Sequence, residues 1–258
     1  MFADERRHKI MEMLENRPSV TVSELMTLFE VSIETVRRDL EYLEKKQALK
    51  RVHGGAVSNQ KMKGIATLEE RMSENRELKQ ELARTAISYI RENDLIAIDT
   101  GSTAMELAPL LKANFRRLSI ATNSPEVFNA LCDVEGFEMI QIGGQYLREE
   151  KTFYGHMALE TIRRLHFAKA FIFPSAVSLR QGIGLFFHEI FDIQRAYIDH
   201  SDEVYLLADS SKFETPATIK LCDLSPSFKI ITDSKLPDQV LALYKKNKLQ
   251  IIKSNEQV

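Results

Sequence analysis

Along residues 4–46 apolar positions recur every three or four residues, whereas from about residue 78 they gather into short runs separated by helical patterns. In residues 4–16, Ile10, Met13 and Leu14 fall at helical spacing among charged residues, which predicts an amphipathic helix. Pro18 and Ser19 break it. The stretch TVSELMTLFE predicts a second helix, capped by Ser23 or Thr21, with Leu25, Leu28 and Phe29 on its apolar face. Val31-Ser32 reads as a turn, with Ser32 the N-cap of a third helix from Ile33 to about Lys46. The following ALKRVHGGAV is short, β-prone and basic, and ends in Gly-Gly. It predicts a small hairpin, or wing.

Residues 58–77 are polar and lack a long apolar face, so they read as a linker between a domain at 1–57 and one at 78–258. Beyond it, strands are predicted at Leu95–Asp99, Leu118–Thr122, Phe137–Ile142, Ala170–Phe173, Val204–Ala208, Lys229–Thr232 and Gln250–Ile252. Helical patterns lie between most of them, at 103–115, 124–133, 153–165, 186–200 and 237–246. That alternation predicts a larger, mostly parallel α/β domain after the N-terminal helix-turn-helix and wing.

Composition narrows the function. The net charge is −2, and residues 1–60 hold ten Lys/Arg against ten Asp/Glu, so any affinity for nucleic acid rests on where charge is placed. The two cysteines, Cys132 and Cys222, show no metal-like spacing and fit a reducing compartment. The charged N-terminus is unlike a signal peptide, and no apolar run approaches a membrane span. The cytoplasm is the expected location, with no membrane partner. HEIFD has Asp192 where a zincin would have its second histidine, so no metal is expected, and no cofactor motif appears.

On a helical wheel, Ile33, Val36, Leu40 and Leu43 of the third helix face the core, while Glu34, Thr35, Arg38 and Tyr42 point away and Arg37 flanks the stripe. An outward face of hydrogen-bonding groups is what a recognition helix in a major groove requires. With Ser32 at its start and Lys50, Arg51, His53, Gly54 and Gly55 in the wing, these residues form a candidate surface for double-stranded operator DNA. The segment Arg7–Val57 resembles the winged helix-turn-helix of the DeoR family of bacterial transcriptional regulators. The resemblance rests on Arg7, Leu25, Val31-Ser32, the run Thr35-Val36-Arg37-Arg38-Asp39-Leu40, Leu43, and Arg51-Val52-His53-Gly54-Gly55-Ala56. It implies that the third helix enters the major groove and the wing touches the sugar-phosphate backbone.

Ligands of parallel sheets bind beyond the carboxyl ends of the strands. Four such ends are chemically loaded: Asp99-Thr100-Gly101-Ser102-Thr103, Thr122-Asn123, Gly143-Gly144, and Asp209-Ser210-Ser211-Lys212. A helix start with a glycine and hydroxyls can cradle an anion, and a lysine can neutralise a phosphate. DTGST, TNS, IGG and LLADSSKF resemble the C-terminal effector domain of DeoR regulators, which is similar to ribose-5-phosphate isomerase. By that resemblance Gly101–Thr103 and Lys212 hold the phosphate of a sugar, Asp99, Asn123 and Glu189 face its hydroxyls, and the chain is a repressor that works as a homodimer or larger homo-oligomer. Phe173 and Ala176 stand where the family has glycines, and Phe186-Phe187 where it is polar. Two rivals stand beside this reading. One is a sugar-phosphate isomerase with Glu189 as base, although the isomerase's acidic D-G-A-D-E segment is absent and no catalytic residue is assigned. The other is a regulator whose second domain only oligomerises.

Overall fold

A computed structural model describes residues 2–16, 19–46, 48–52, 55–58 and 66–254. The chain divides into two compact units, Met1–Ala66 and Thr67–Val258.

In the first unit, α1 (Ala3–Asn16) is followed by β1 (Ser19–Thr21), α2 (Val22–Phe29), α3 (Ile33–Lys45), β2 (Leu49–Val52) and β3 (Gly55–Ser58). Thr21, rather than Ser23, caps α2 by accepting from Glu24 N at 3.2 Å. Glu30 closes α2 in the left-handed conformation, φ 54°, and its N–H bonds Met26 O. Ser32 caps α3 as its sequence position predicts. Ile10, Leu14, Leu25, Phe29, Val36, Leu40 and Leu43 close one apolar core with Val20, Leu49 and Ala56 from the strands. The wing is larger than a hairpin, because β1 pairs antiparallel with β3 and gives a three-stranded sheet in the order β1-β3-β2. Three residues carry no readable alternation, so pairing alone reveals β1.

The second unit opens with α4 (Leu68–Ser73) and α5 (Arg76–Ile87). Both start inside the span expected to be linker. Thr67 and Glu70 form a capping box on α4, and Leu68 is buried, so this unit begins at Thr67 rather than at residue 78. The chain continues through β4 (Leu95–Ile98), α6 (Ser102–Asn114), β5 (Leu118–Thr122), α7 (Pro125–Leu131), β6 (Phe137–Gln141), β7 (Gln145–Leu147), β8 (Thr152–Tyr154), α8 (His156–Arg163) and β9 (Phe167–Ile172). It ends with β10 (Ala176–Ser178), β11 (Gly182–Leu185), α9 (Phe191–Asp199), β12 (Ser201–Leu207), β13 (Ile219–Cys222), β14 (Phe228–Thr232), α10 (Asp238–Lys246) and β15 (Gln250–Lys253).

The predicted strands form one seven-stranded sheet in the order β15-β14-β12-β9-β4-β5-β6. Every neighbouring pair in it is parallel. Ile96, Ile98, Ile120, Phe171 and Tyr205 of the sheet pack with Leu82 and Ala86 of α5 and Leu107 and Leu111 of α6. Burial of that kind supplies most of the stabilisation, at about 25 cal/mol per Å² of apolar surface. Two small antiparallel elements were not predicted: the hairpin β7-β8 and the sheet β10-β11-β13. The first turns the start of the 153–165 pattern into strand. The 186–200 pattern splits into a 3-10 turn, His188–Ile190, and α9. No described helix is long and apolar enough to cross a membrane.

Candidate DNA-binding face and effector site

The N-terminal half of α3 presents a small polar face. Ser32 Oγ accepts from Thr35 N at 3.4 Å and lies 3.2 Å from Thr35 Oγ1, so the two hydroxyls are linked at the helix start. Glu34, Arg37 and Arg38 are exposed, and neither arginine forms an ion pair among the described residues. The other positions have different surroundings. Tyr42 is 43% exposed, but the Arg7 guanidinium lies 3.8 Å from its ring centroid. Arg7 Nε donates to Asp39 Oδ1 at 3.0 Å, and Arg6 Nε donates to Asp39 Oδ2 at 2.7 Å. The aspartate of the T-x-R-R-D-L run therefore ties α1 to α3, and Tyr42 is a platform for Arg7 rather than a free outward side chain.

The wing also departs from its expected roles. Arg51 is pinned to α3: its N–H and Nε donate to the two oxygens of Glu44 at 2.9 and 2.8 Å. Gly55 is buried against β1, where a Cβ would lie 2.0 Å from Val20 O. Its missing side chain serves the close pairing of β1 and β3, not an approach to a ligand. Lys50 lies in β2 with its side chain undescribed, and His53 and Gly54 lie outside the described residues.

In the second unit the predicted strand ends line up along one edge of the sheet. Asp99 follows β4 and is fully buried, with Oδ2 accepting from Gln194 Nε2 at 2.5 Å and Oδ1 without a partner. Burial raises its carboxyl to about 7; the amides of Thr100 and Phe173 and the Gln194 side chain oppose that rise, and the charge of Glu150 adds to it. Gly101 starts α6, and a Cβ there would lie 3.0 Å from Phe173 Cβ, so the aromatic residue packs on the turn. Ser102 is half-buried, Thr103 is buried, and Thr100 Oγ1 donates to Glu150 O at 3.1 Å. Lys212 is half-buried in the 3-10 turn Ser210–Lys212, which Asp209 caps through Ser211 N at 3.0 Å. Strand β9 separates its strand, β12, from β4, a span of about 10 Å at the usual interstrand spacing.

Two expected ligand side chains already have partners, and one expected glycine serves the chain's own packing. Asn123 Nδ2 donates to Thr152 Oγ1 at 2.8 Å and to Phe153 O at 3.3 Å, while its Oδ1 accepts from Tyr197 OH at 3.2 Å. It braces β5 against β8 and α9. Thr122 Oγ1 accepts from Ser124 N at 3.1 Å inside the protein. At Gly144 a Cβ would lie 2.4 Å from Tyr154 O, so that glycine lets the chain pass its own backbone, whereas Gly143 is open. Glu189 sits half-buried in the 3-10 turn just before α9. Ala176 is a strand residue packed towards Gly184, and Phe187 is buried, so both belong to the fold rather than to an open loop.

Sequence reasoning missed Gln194, Tyr197, Glu150, Arg71 and Lys79. Arg71 Nη2 donates to Glu150 Oε2 at 2.6 Å, from a half-buried arginine to a buried carboxylate. Lys79 is buried, donating to Arg71 O and to Glu74 O, and burial lowers its ammonium pKa against the opposing charge of Asp209. Burial likewise raises the Glu150 carboxyl, with Arg71 opposing. Two of these carried a signal: Gln194 and Lys79 sit among apolar neighbours on the inner faces of α9 and α5.

Comparison with known proteins agrees with the two-unit geometry. Residues 6–62 match the DeoR-like helix-turn-helix domain and residues 74–234 the DeoR C terminal sensor domain. The chain is 33% identical over 238 residues to the lactose phosphotransferase system repressor of Lactococcus lactis subsp. lactis, covering 92% of this chain and 93% of that one. It is 32% identical over 235 residues to the L-fucose operon activator of Haemophilus influenzae, covering 91% and 94%. Among solved structures, ribose 5 phosphate isomerase A from Neisseria gonorrhoeae aligns at 17% identity and a TM-score of 0.40 over 54% of each chain. With both of its units matched and two relatives aligned along nearly their whole length, the chain belongs to the DeoR family of DNA-binding transcriptional regulators.

Proposed function

We propose that the protein represses a carbohydrate operon and that a phosphorylated sugar, bound at the carboxyl edge of the parallel sheet, alters its affinity for operator DNA. One observation carries the ligand half of this reading. Asp99, fully buried, keeps Oδ1 unpartnered and its neighbour Gln194 keeps Oε1 unpartnered, on the sheet edge that also holds the Gly101 helix start and Lys212. Unmatched buried polar atoms are costly, and a polyhydroxylated ligand would satisfy them. The anion would lie at the amides of Gly101–Thr103 with Lys212 as counter-charge. On the DNA side, Thr35, Arg37 and Arg38 are the base- and backbone-reading candidates, with Glu34 and Ser32 beside them. A homodimer or larger assembly follows from the two half-sites such motifs read. The repressor sense follows the Lactococcus relative; the Haemophilus relative is named for activation, so a reporter assay reads the sign.

Lys212→Ala is the test. Calorimetry with phosphorylated hexoses, pentoses and trioses should show one that binds the native protein and binds Lys212→Ala with a loss of about 1.5–3 kcal/mol, one charge-assisted contact. Operator affinity without ligand should stay near native. A second reading has its own support: Phe173 packs on the Gly101 turn. If no phosphorylated sugar binds the folded protein, the second unit serves only to oligomerise.

A further inference from the structure

The stretch that enters the second unit is fastened to it by the buried Leu68, by Lys79, and by a set of polar contacts to one connection between strands. Helix α4 begins at Leu68, directly after Thr67, the first residue of that unit. Thr67 and Glu70 close its first turn, with Glu70 Oε2 accepting from Thr67 N at 2.7 Å. Three contacts then join α4 to Glu149–Lys151, the connection between β7 and β8. Leu68 N donates to Glu149 O at 3.3 Å, Arg71 Nη2 to Glu150 Oε2 at 2.6 Å, and Lys151 Nζ to Glu69 Oε1 at 2.5 Å. Glu150 faces the other way as well: its carbonyl accepts from Thr100 Oγ1 at 3.1 Å. Thr100 adjoins Gly101, where α6 opens towards the candidate effector site. One chain of hydrogen bonds thus runs from that turn, through Glu150, to α4.

The middle of the chain is buried and incompletely satisfied. Glu150 is 3% exposed, and both Arg71 Nε and Glu150 Oε1 lack partners. Removing one member of such a pair is costly, because the buried Glu150 carboxylate is left without its counter-charge. The neighbouring Glu69–Lys151 pair is largely exposed on the Glu69 side, at 69%, and such pairs contribute little.

We propose that Thr100, Glu150 and Arg71 relay the state of the carboxyl-edge site to α4 and so to the segment leading to the DNA-binding unit. Arg71 and Glu150 act as positioning residues and need not touch ligand. The proposal rests on the reading of the second unit as a sensor, but its test needs no ligand.

The test uses the full-length, ligand-free protein, with a duplex enriched by selection for binding to it. Hydrogen exchange is read at the amides of Leu68, Glu70 and Arg71, and operator Kd in parallel. Thr100→Val keeps the side chain's shape and removes the hydroxyl. It should lower protection in α4 about fivefold, the factor one hydrogen bond of ordinary net strength carries. It should also shift operator Kd by about threefold or more, within the range of coupling changes made by substitutions remote from the ligand. Glu150→Gln should act in the same direction, and Lys151→Ala should do neither. Unchanged α4 protection in both Thr100→Val and Glu150→Gln would overturn the link. Lost protection with unaltered operator affinity would overturn the relay. Both effects together, in a protein that binds no sugar phosphate, would uphold the relay and sink only the choice of effector.

Discussion

Replacing Asp39 by alanine should loosen the DNA-binding unit without touching its outward face. Asp39 accepts from Arg6 Nε at 2.7 Å and from Arg7 Nε at 3.0 Å, and its side chain is only 3% exposed. Deleting one member of a buried ion pair costs about 3–5 kcal/mol, because the remaining charge is stranded. Here Arg7 keeps Asp4 at 3.2 Å and the Tyr42 ring, and Arg6 and Arg7 lie nearer the rim, 11% and 22% exposed, so both can recover part of their hydration. That discount gives an expected loss of about 2–4 kcal/mol. For a unit of this size, each kcal/mol moves the midpoint by about 4–8 °C, so the transition should fall by at least ~8 °C. The chain has no tryptophan, so far-UV circular dichroism of the full-length protein is the readout, with the helical loss of the first unit resolved from that of the second. Asp39→Asn keeps the shape and some hydrogen bonding and should cost about half as much. Operator affinity, measured well below the lowered transition, should track the folded fraction. A change below about 0.5 kcal/mol for Asp39→Ala, the level of an ordinary surface substitution, would refute the anchoring role.

Three further outcomes are expected. Arg38→Ala should weaken specific operator binding by about 1–3 kcal/mol and relax sequence preference, as mobility-shift titrations against specific and scrambled duplexes would show; equal losses on both would reassign Arg38 to the phosphate backbone. For Asp99, whose carboxyl is raised from 3.8 to about 7, the native state binds the extra proton between those values. Its contribution to stability is therefore present at low pH and is lost as pH rises from about 4 to 7, by at most ~4 kcal/mol. Urea midpoints across that range should fall less in Asp99→Asn than in the native protein, and parallel curves would remove Asp99 as the cause. Limited proteolysis should leave a resistant fragment beginning near Thr67, because the burial of Leu68 and the Arg71–Glu150 pair fix α4 to the second unit, and a fragment beginning near residue 78 would contradict that docking.

The seven strands of the central sheet were legible as short apolar runs between helical patterns; the inner strands β4, β5, β9, β12 and β14 are buried over most of their length, and the edge strands β6 and β15 only in part. The three helices of the first unit were legible from their apolar spacing and caps. Strands β1, β7, β8, β10, β11 and β13 were not, because three or four residues hold no period and only their pairing partners define them. Gly55 and Gly144 both lie at close approaches, and the approaching atoms belong to the protein's own backbone, Val20 O and Tyr154 O. A glycine in a sequence reports the need for space and not what fills it.

The candidate site shows the same limit in sharper form. Residue type and position at a strand end selected Thr122, Asn123 and Asp99 alike. The structure separates them by hydrogen-bond saturation: Asn123 has its polar atoms matched by Thr152, Phe153 and Tyr197, while Asp99 keeps one oxygen unmatched. Saturation depends on partners that lie far along the chain. Gln194 is 95 residues from Asp99, and Arg71 is 79 from Glu150. The energetic asymmetry of hydrogen bonds gives this distinction functional weight. A ligand that bonds a satisfied group must displace an existing partner, whereas one that bonds an orphaned group relieves a standing desolvation cost. Binding free energy should therefore concentrate on Asp99 and Gln194. Of the two, Asp99 lies at a strand end, where residue type and position mark it, whereas Gln194 is brought to the edge by α9 and is visible only once the chain is folded.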